Sequence, residues 1–573
     1  MNFIPGYFNC TPMIQSHLAR LLAVLLLLFC CLPSHAGMIL VSPGDEASSI
    51  NKKINELSAG DTIIFRPGVY KGPFIMNGIN GLPNHPIVLT GISDAYEMAT
   101  IDGESEPGMD LHNNAFQMED CSWIDIEGFS IRNCWTDIIT SVDVSYLSVK
   151  QCDVIGGKRL LYAKGRKSHH FLIENCRWEQ DIRVWTHEEG YTWEELHHGR
   201  YSHFNGSIFQ GEGISGVFVL RNNQIKNTFN AFRLSPVGDG RIDMLASSNG
   251  DINNNLIINT SDNVLEPEVY CHNLYFYHNR LVNGHAFISV TGVGGGPIYL
   301  FGNTGLSEPD CEDGWAIYKI SNRERTMSEP FYIFNNSWYV DYNITGNRMG
   351  WWNDHIVHFN NAYFFEGIDT FGIHTSGEDS YYNNDCSSAV FPDFMKKNGF
   401  ESDGIEGDPM FADPLGNDFR LKGTSPCFES GQLYGDLLTY YEGSAPDIGA
   451  YDGNKLVMGP AFKFSVPGAE IPFIEYPRIT RYKIDGKRLI LWFSMPIDSK
   501  QLINCIPVLQ TENRSVSVKL ESVEDDGYCI RFVLEREVDP GYEPVLALSG
   551  WPSGMNGMMM NSWASAIKVS VNH

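Results

Sequence analysis

The sequence predicts an all-β chain: a parallel β-helix solenoid over residues 37–457, followed by a β-sandwich over residues 458–573. Three observations lead there. A short apolar phrase returns along the chain and keeps ending in Asn or Cys. Its strands alternate with period two instead of 3.6. The phrasing then changes near residue 458.

The repeat carries most of the weight. It reads "FSIRNC" at Cys134, "LSVKQC" at Cys152 and "FLIENC" at Cys176, then "FVLRNN" at Asn223, "DINNN" at Asn255 and "YFYHN" at Asn279. It continues as "YLFGN" at Asn303, "YIFNN" at Asn336, "HFNN" at Asn361 and "SYYNN" at Asn384. A self-similar period of this size marks a solenoid, and period-two alternation makes its elements strands. Leu does not dominate the phrase, which argues against a leucine-rich repeat. Asn at a matched bend can hydrogen-bond to the Asn of the next coil. The bend also suits Asn because it tolerates left-handed backbone. Cys134, Cys152 and Cys176 hold the same place, so they are expected as a buried stack and not as bridges. Cys505 and Cys529 are the better candidates for a disulfide.

An open solenoid end exposes strand edges and needs a cover. "DEASSINKKINEL" (45–57) predicts an amphipathic helix there, with Ser48 or Asp45 capping its start. Ahead of it, Arg20, the apolar run Leu21–Leu32 and "PSHAG" form a secretory signal over residues 1–36. The run is too short to span a bilayer, and no later segment reads as transmembrane. The formal charge of −28 excludes phosphate-driven nucleic-acid binding and matches poorly with an anionic membrane.

"AGDTIIFRPGVYKG" (59–72) resembles the opening of secreted right-handed parallel β-helix proteins, chondroitinase- and alginate-lyase-like ones among them. "GDPMFADPLGNDFRLKGTSPCFESG" (407–431) with "APDIGAYDG" (445–453) is similar to the closing segment of the same pectin-lyase-like superfamily. The resemblance implies a right-handed parallel β-helix, a saccharide partner, a monomer, and a secreted, periplasmic or cell-surface location in a bacterium. It implies no single activity, since the superfamily hosts lyases, hydrolases, epimerases and adhesins. "LWFSMPID" (491–498) resembles a strand of bacterial Ig-like modules, which implies an Ig-like fold for the C-terminal domain.

The strands preceding the Asn phrases align on Leu161, Phe209, Phe232, Leu265, Phe287 and Ile317. Side chains alternate faces along a strand, so Tyr162, Gln210, Arg233, Glu266, Ile288 and Tyr318 are expected to point outward. Lys164, Glu212, Ser235, Glu268, Val290 and Ile320 form a second outward column. "SDNVLEPE" (261–268) is the sharpest motif. Glu266 and Glu268 stand two apart on one face, at a carboxyl separation suited to glycoside hydrolysis. A calcium site using these carboxylates and Asp262 is the second reading, although neither chemistry requires a cofactor. An Arg233–Glu266 ion pair is the structural one.

The break at residues 179–204 brings Trp185 and Trp193 to stack on sugar rings, and long loops often wall sites. His197–His198 with His187 and Glu195 lack tight zinc-ligand spacing. The expected function is therefore cleavage of a complex polysaccharide. Glu266 and Glu268 serve as acid and base, and Arg233, Tyr162, Lys164, Gln210, Glu212, Tyr318 and the two Trp bind substrate. Hydrolysis is favoured over uronate elimination because acids outnumber bases on the stripe. A non-catalytic glycan binder or adhesin is the alternative.

Overall fold

The computed structural model describes residues 36–94, 97–106, 113–165, 167–180, 193–212, 218–234, 248–267, 272–289, 297–308, 315–319, 330–344, 356–372, 380–460, 479–485, 487–493, 506–511, 514–524, 529–535, 545–549 and 567–568. Three parallel sheets run side by side through residues 38–406, and successive coils lay strands in each of them. The first sheet has 13 strands, from Met38–Val41 to Tyr381–Asn383. The second holds Phe74–Asn77, Phe116–Glu119, Asp137–Val142, Arg159–Lys164 and Phe209–Glu212. Phe232–Arg233, the far halves of Leu256–Glu266 and Arg280–Ser289, and Ala316–Lys319 pair in turn beyond it. The third sheet runs from Gly68–Lys71 to Ile405–Glu406. This is the expected parallel β-helix.

In-register stacking builds the core. In the first sheet Leu147, Phe171, Phe218, Gly250, Leu274, Ile298, Phe331 and Ile356 align one above the next. Gly250 interrupts this apolar column because a Cβ there would lie 2.2 Å from the Phe218 ring. At the bend between the first and third sheets, the backbone N–H of Asn223 donates to Asn255 Oδ1 (2.9 Å), and Asn255, Asn279, Asn303 and Asn336 repeat the pattern toward the next coil. Each Nδ2 also donates to a backbone carbonyl of the coil before, as Asn303 does to Phe276 O (3.0 Å). The residue ahead of each rung takes left-handed backbone: Asn222, Asn254, His278, Gly302, Asn335 and Asn360, at φ between 50° and 62°. Cys134, Cys152 and Cys176 are free and buried, as expected of a stack.

Two local expectations need correction. The last repeat phrase ends on Asn384, yet Asn384 is the left-handed residue (φ 58°) and Asp385 is the rung. The N-terminal helix, α1 (Ala47–Asn55), has Glu46 at its cap position and no side-chain cap, so neither Ser48 nor Asp45 plays that role. It covers the first coil nonetheless. Ile50 and Ile54 are buried. Asn51 and Asn55, one turn apart, exchange hydrogen bonds with backbone groups of Pro73, Ile75 and Asn77 at the sheet edge. Asp393–Lys397 (α3) inserts Met395 into the core at the other end.

The closing segment wraps the outside. Phe411, Phe419, Cys427 and Ile448 pack on Val282, Leu306, Ala362 and Cys386 of the third sheet. Leu438 and Val457 pack on Tyr275, Tyr277, Phe301, Phe334 and Phe359 of the first. The described strands from Ile479 onward form a seven-stranded antiparallel sheet. The second Cys of the expected disulfide, Cys529, lies on one of these strands, and Cys505 is outside the described residues.

Candidate functional site

The closing segment covers the outer faces of the first and third sheets in the C-terminal coils, so the second sheet's outer face is where charge gathers. Leu161 pairs with Phe209, Tyr162 with Gln210 and Lys164 with Glu212, as the alternation predicted. One coil pair on, Phe232 pairs with Leu265 and Arg233 with Glu266. Arg233 Nε lies 3.4 Å from Glu266 Oε2, and Arg233 Nη1 donates to Asn205 Oδ1 at 2.7 Å. Four residues before Glu266 on the same strand, Asp262 Oδ1 faces Lys319 Nζ at 3.8 Å. Glu266 and Asp262 are buried, at 6% and 2% exposure, whereas both cations reach solvent. Two acid–base pairs thus share the strand Leu256–Glu266, Arg233 reaching it from the adjacent coil and Lys319 from the second coil on the other side. Asp262 had been read only as a calcium ligand, and Lys319 was missed.

The sequence alignment slips after Glu266. A bulge between Thr260 and Asn263 shifts the pairing, so Leu265, not Glu266, stands opposite Ile288 and, through it, Tyr318. Ile288 is therefore core, and so is Tyr318. Tyr318 is 1% exposed, with its ring edge-to-face on Trp338. It is no substrate-binding residue; Lys319 takes the outward position next to it.

Tyr162 keeps its place but is mostly covered. Arg159 Cζ lies 3.7 Å above its ring and Lys164 Nζ 4.4 Å from it. Arg159 holds Asp137 with two hydrogen bonds and donates to Gln210 Oε1 at 2.9 Å, which makes Gln210 a buried support of the stripe. Lys164 is exposed. Burial, with Arg159 beside it, lowers the Lys158 pKa, and the more distant Arg233 acts in the same sense. Basic groups thus continue along the face from Arg159 to Lys319.

The described part of the 179–204 break lies beside this face. Its short helix α2 (Trp193–His197) buries Leu196 against Phe204 and Phe229. Trp193 stacks on His197 with ring centroids 4.4 Å apart. His197 is held below its usual pKa by burial and by His198, and it senses Asp262, Arg233 and Lys319. The helix therefore stands beside the two ion pairs. Trp185, His187 and Glu268 lie outside the described residues, as do Ser235, Val290 and Ile320 of the second column. Of Glu212 the structure gives the backbone pairing alone. Calcium is not favoured at the described part of this face, since the chain's own Arg233 and Lys319 already stand opposite Glu266 and Asp262.

No protein-family model matches the chain, and no curated protein matches it in sequence. Several solved structures are similar. Pectate lyase Pel9A is 12% identical with a TM-score of 0.38, over 74% of this chain and 97% of that one. A PL6 family polysaccharide lyase from Pseudopedobacter saltans is 12% identical with a TM-score of 0.38, over 69% and 98%. A family 28 exopolygalacturonase from Yersinia enterocolitica is 9% identical with a TM-score of 0.38, over 62% and 75%.

Proposed function

We propose that the chain is an exported enzyme that cleaves a polysaccharide on the outer face of the second sheet. The observation carrying this reading is the double ion pair, Arg233–Glu266 between adjacent coils and Lys319–Asp262 across one intervening coil, beside α2. In each pair the carboxylate is buried while the cation reaches solvent, so the cation is presented to the outer face.

Hydrolysis is the first chemistry. Glu266, ion-paired with Arg233, is the base or nucleophile, and Glu268 two residues on is the acid partner. Arg233, Lys164 and Trp193 hold sugar rings and hydroxyls. Lys319 favours a second reading, elimination from a uronate. That reaction needs a cation to neutralise the sugar carboxylate and a base to take the adjacent proton. The antiparallel sheet beyond residue 478 is, on this reading, an Ig-like spacer.

A panel of glycans incubated with the full chain decides the matter, assayed for new reducing ends and for the absorbance of unsaturated uronates. Reducing ends alone establish a hydrolase, and both signals a lyase. Binding with neither product makes the protein a glycan binder and overturns the enzyme reading.

A further inference from the structure

Inside the solenoid, away from the outer face, three ionisable side chains meet at its C-terminal end. His358 lies on the first-sheet strand Ile356–Phe359, Asp385 is the last rung of the Asn ladder, and Glu401 follows α3. Their exposures are 0%, 0% and 4%. One atom of each is tied to the protein. Asp385 Oδ1 accepts the backbone N–H of Asn361 (2.8 Å) and its Nδ2 (3.1 Å). Glu401 Oε2 accepts the backbone N–H of Asp385 at 2.9 Å. His358 Nε2 lies 2.8 Å from Tyr363 Oη.

The other atom of each is turned toward its neighbours. His358 Nδ1, Asp385 Oδ2 and Glu401 Oε1 are buried, the Asp385 and Glu401 carboxyl groups touch, and one ligand atom from each of the three residues lies within 4.8 Å of the others. Nδ1 and Oδ2 are 2.7 Å apart. With Nε2–H donating to Tyr363, the Nδ1 lone pair faces a carboxylate oxygen and a cation joins them; with the other tautomer, Tyr363 donates to Nε2 and Nδ1–H donates to Asp385 Oδ2.

We propose that His358, Asp385 and Glu401 hold a divalent first-row transition metal ion, Zn²⁺ by the ligand set, within the last coils. Two carboxylates supply two negative charges in a core where neither has an Arg or Lys partner among the described residues. A dication balances them, where burying them bare is costly. An imidazole nitrogen among the ligands selects zinc or a neighbour over calcium and magnesium, which take oxygen shells. The Tyr363 and Asn361 contacts are the kind of outer support that fixes ligand orientation. Tetrahedral bonds of about 2.0–2.1 Å place ligand atoms about 3.3 Å apart, so the ion opens the Nδ1–Oδ2 gap by roughly half an ångström. The rival occupant is a shared proton.

The test is elemental analysis of the full chain expressed with ZnCl₂ or MnCl₂ supplied, paired with refolding from denaturant in chelator or in either salt. About one metal per chain is expected, with a melting point roughly 5 °C or more lower after refolding in chelator and restored by the salt. Asp385→Asn should carry no metal and melt alike in both conditions; Glu401→Gln serves if that variant does not fold. A wild-type chain with substoichiometric metal and identical melting in chelator and in salt overturns the proposal and leaves the proton.

Discussion

At the residue scale, the arrangement turns on which charges are paired and which are buried. Replacing Glu266 by Gln removes the carboxylate that Arg233 holds but keeps its shape, and Arg233 retains Asn205. Turnover on the cleaved glycan should fall roughly 10²–10⁴-fold, with the melting temperature nearly unchanged. A variant that unfolds while its folded fraction stays active contradicts the assignment. Asp251 provides a pH test far from that site. Burial raises it to about 6, against the stabilising pull of Asn253, Arg221 and Tyr277. A carboxyl whose folded pKa is raised contributes stability that is complete below about 3.8 and is lost as pH climbs to about 6. Asp251→Asn should therefore raise stability by about 1–3 kcal/mol at pH 7.5 and by much less near pH 4, read from denaturant melts at the two pH values. The outward places of Tyr162, Arg233 and Glu266 were legible because period-two alternation fixes faces wherever coils have equal length. Tyr318 was misplaced and Lys319 missed because one irregularity, at Thr260–Asn263, shifts the pairing with the coils that follow by one residue.

At the element scale, the coil is the unit, and the bend between the first and third sheets is its most demanding part. The backbone N–H of Asn279 and the carbonyl of Phe276 are both satisfied by the side chain of Asn303. Asn303→Leu keeps the branched shape and deletes both partners, leaving two buried backbone groups unmet at about 1–3 kcal/mol each. A loss on the order of 3 kcal/mol is expected in chemical denaturation, far beyond what an exposed Asn would show. The phrase ending in Asn revealed this ladder from sequence alone. The Cys stack was legible in the same way, since three Cys occupy the bend position in coils where no Asn does. The final rung was not. "NND" (383–385) offers two Asn, and only the backbone shows that Asn384 takes the left-handed turn and passes the rung to Asp385. The wall helix was legible as an interruption at 179–204 but not as a helix, because its one buried apolar residue, Leu196, leaves no 3.6 periodicity to read.

At the scale of the whole molecule, a solenoid is stabilised by neighbour-to-neighbour contacts, so its faces can be assigned separate tasks along its length. α1 and α3 close the ends. The closing segment covers the first sheet's aromatic stack, in which Tyr277, Phe301, Phe334 and Phe359 lie ring on ring at 4.9–5.3 Å, and the third sheet's apolar patch around Leu306 and Ala362. It reaches the bend as well, where Asp447 and Gly449 carbonyls accept from Asn335 Nδ2. The second sheet and the strands that continue beyond it, between Arg159 and Lys319, are left to carry the paired charges beside α2. This division predicts different outcomes for two truncations. A chain ending at residue 460 keeps both covers and every described residue of the candidate site, so it should stay monodisperse on size exclusion and retain turnover. A chain ending at residue 406 bares the stacked rings and the third-sheet patch together, an apolar surface of the kind that drives association. It should aggregate even though its site residues are all present. Loss of turnover in the longer chain with its fold intact would transfer part of the site to the antiparallel domain. A soluble, active shorter chain would show that the wrapping segment is dispensable and that the face assignment is wrong.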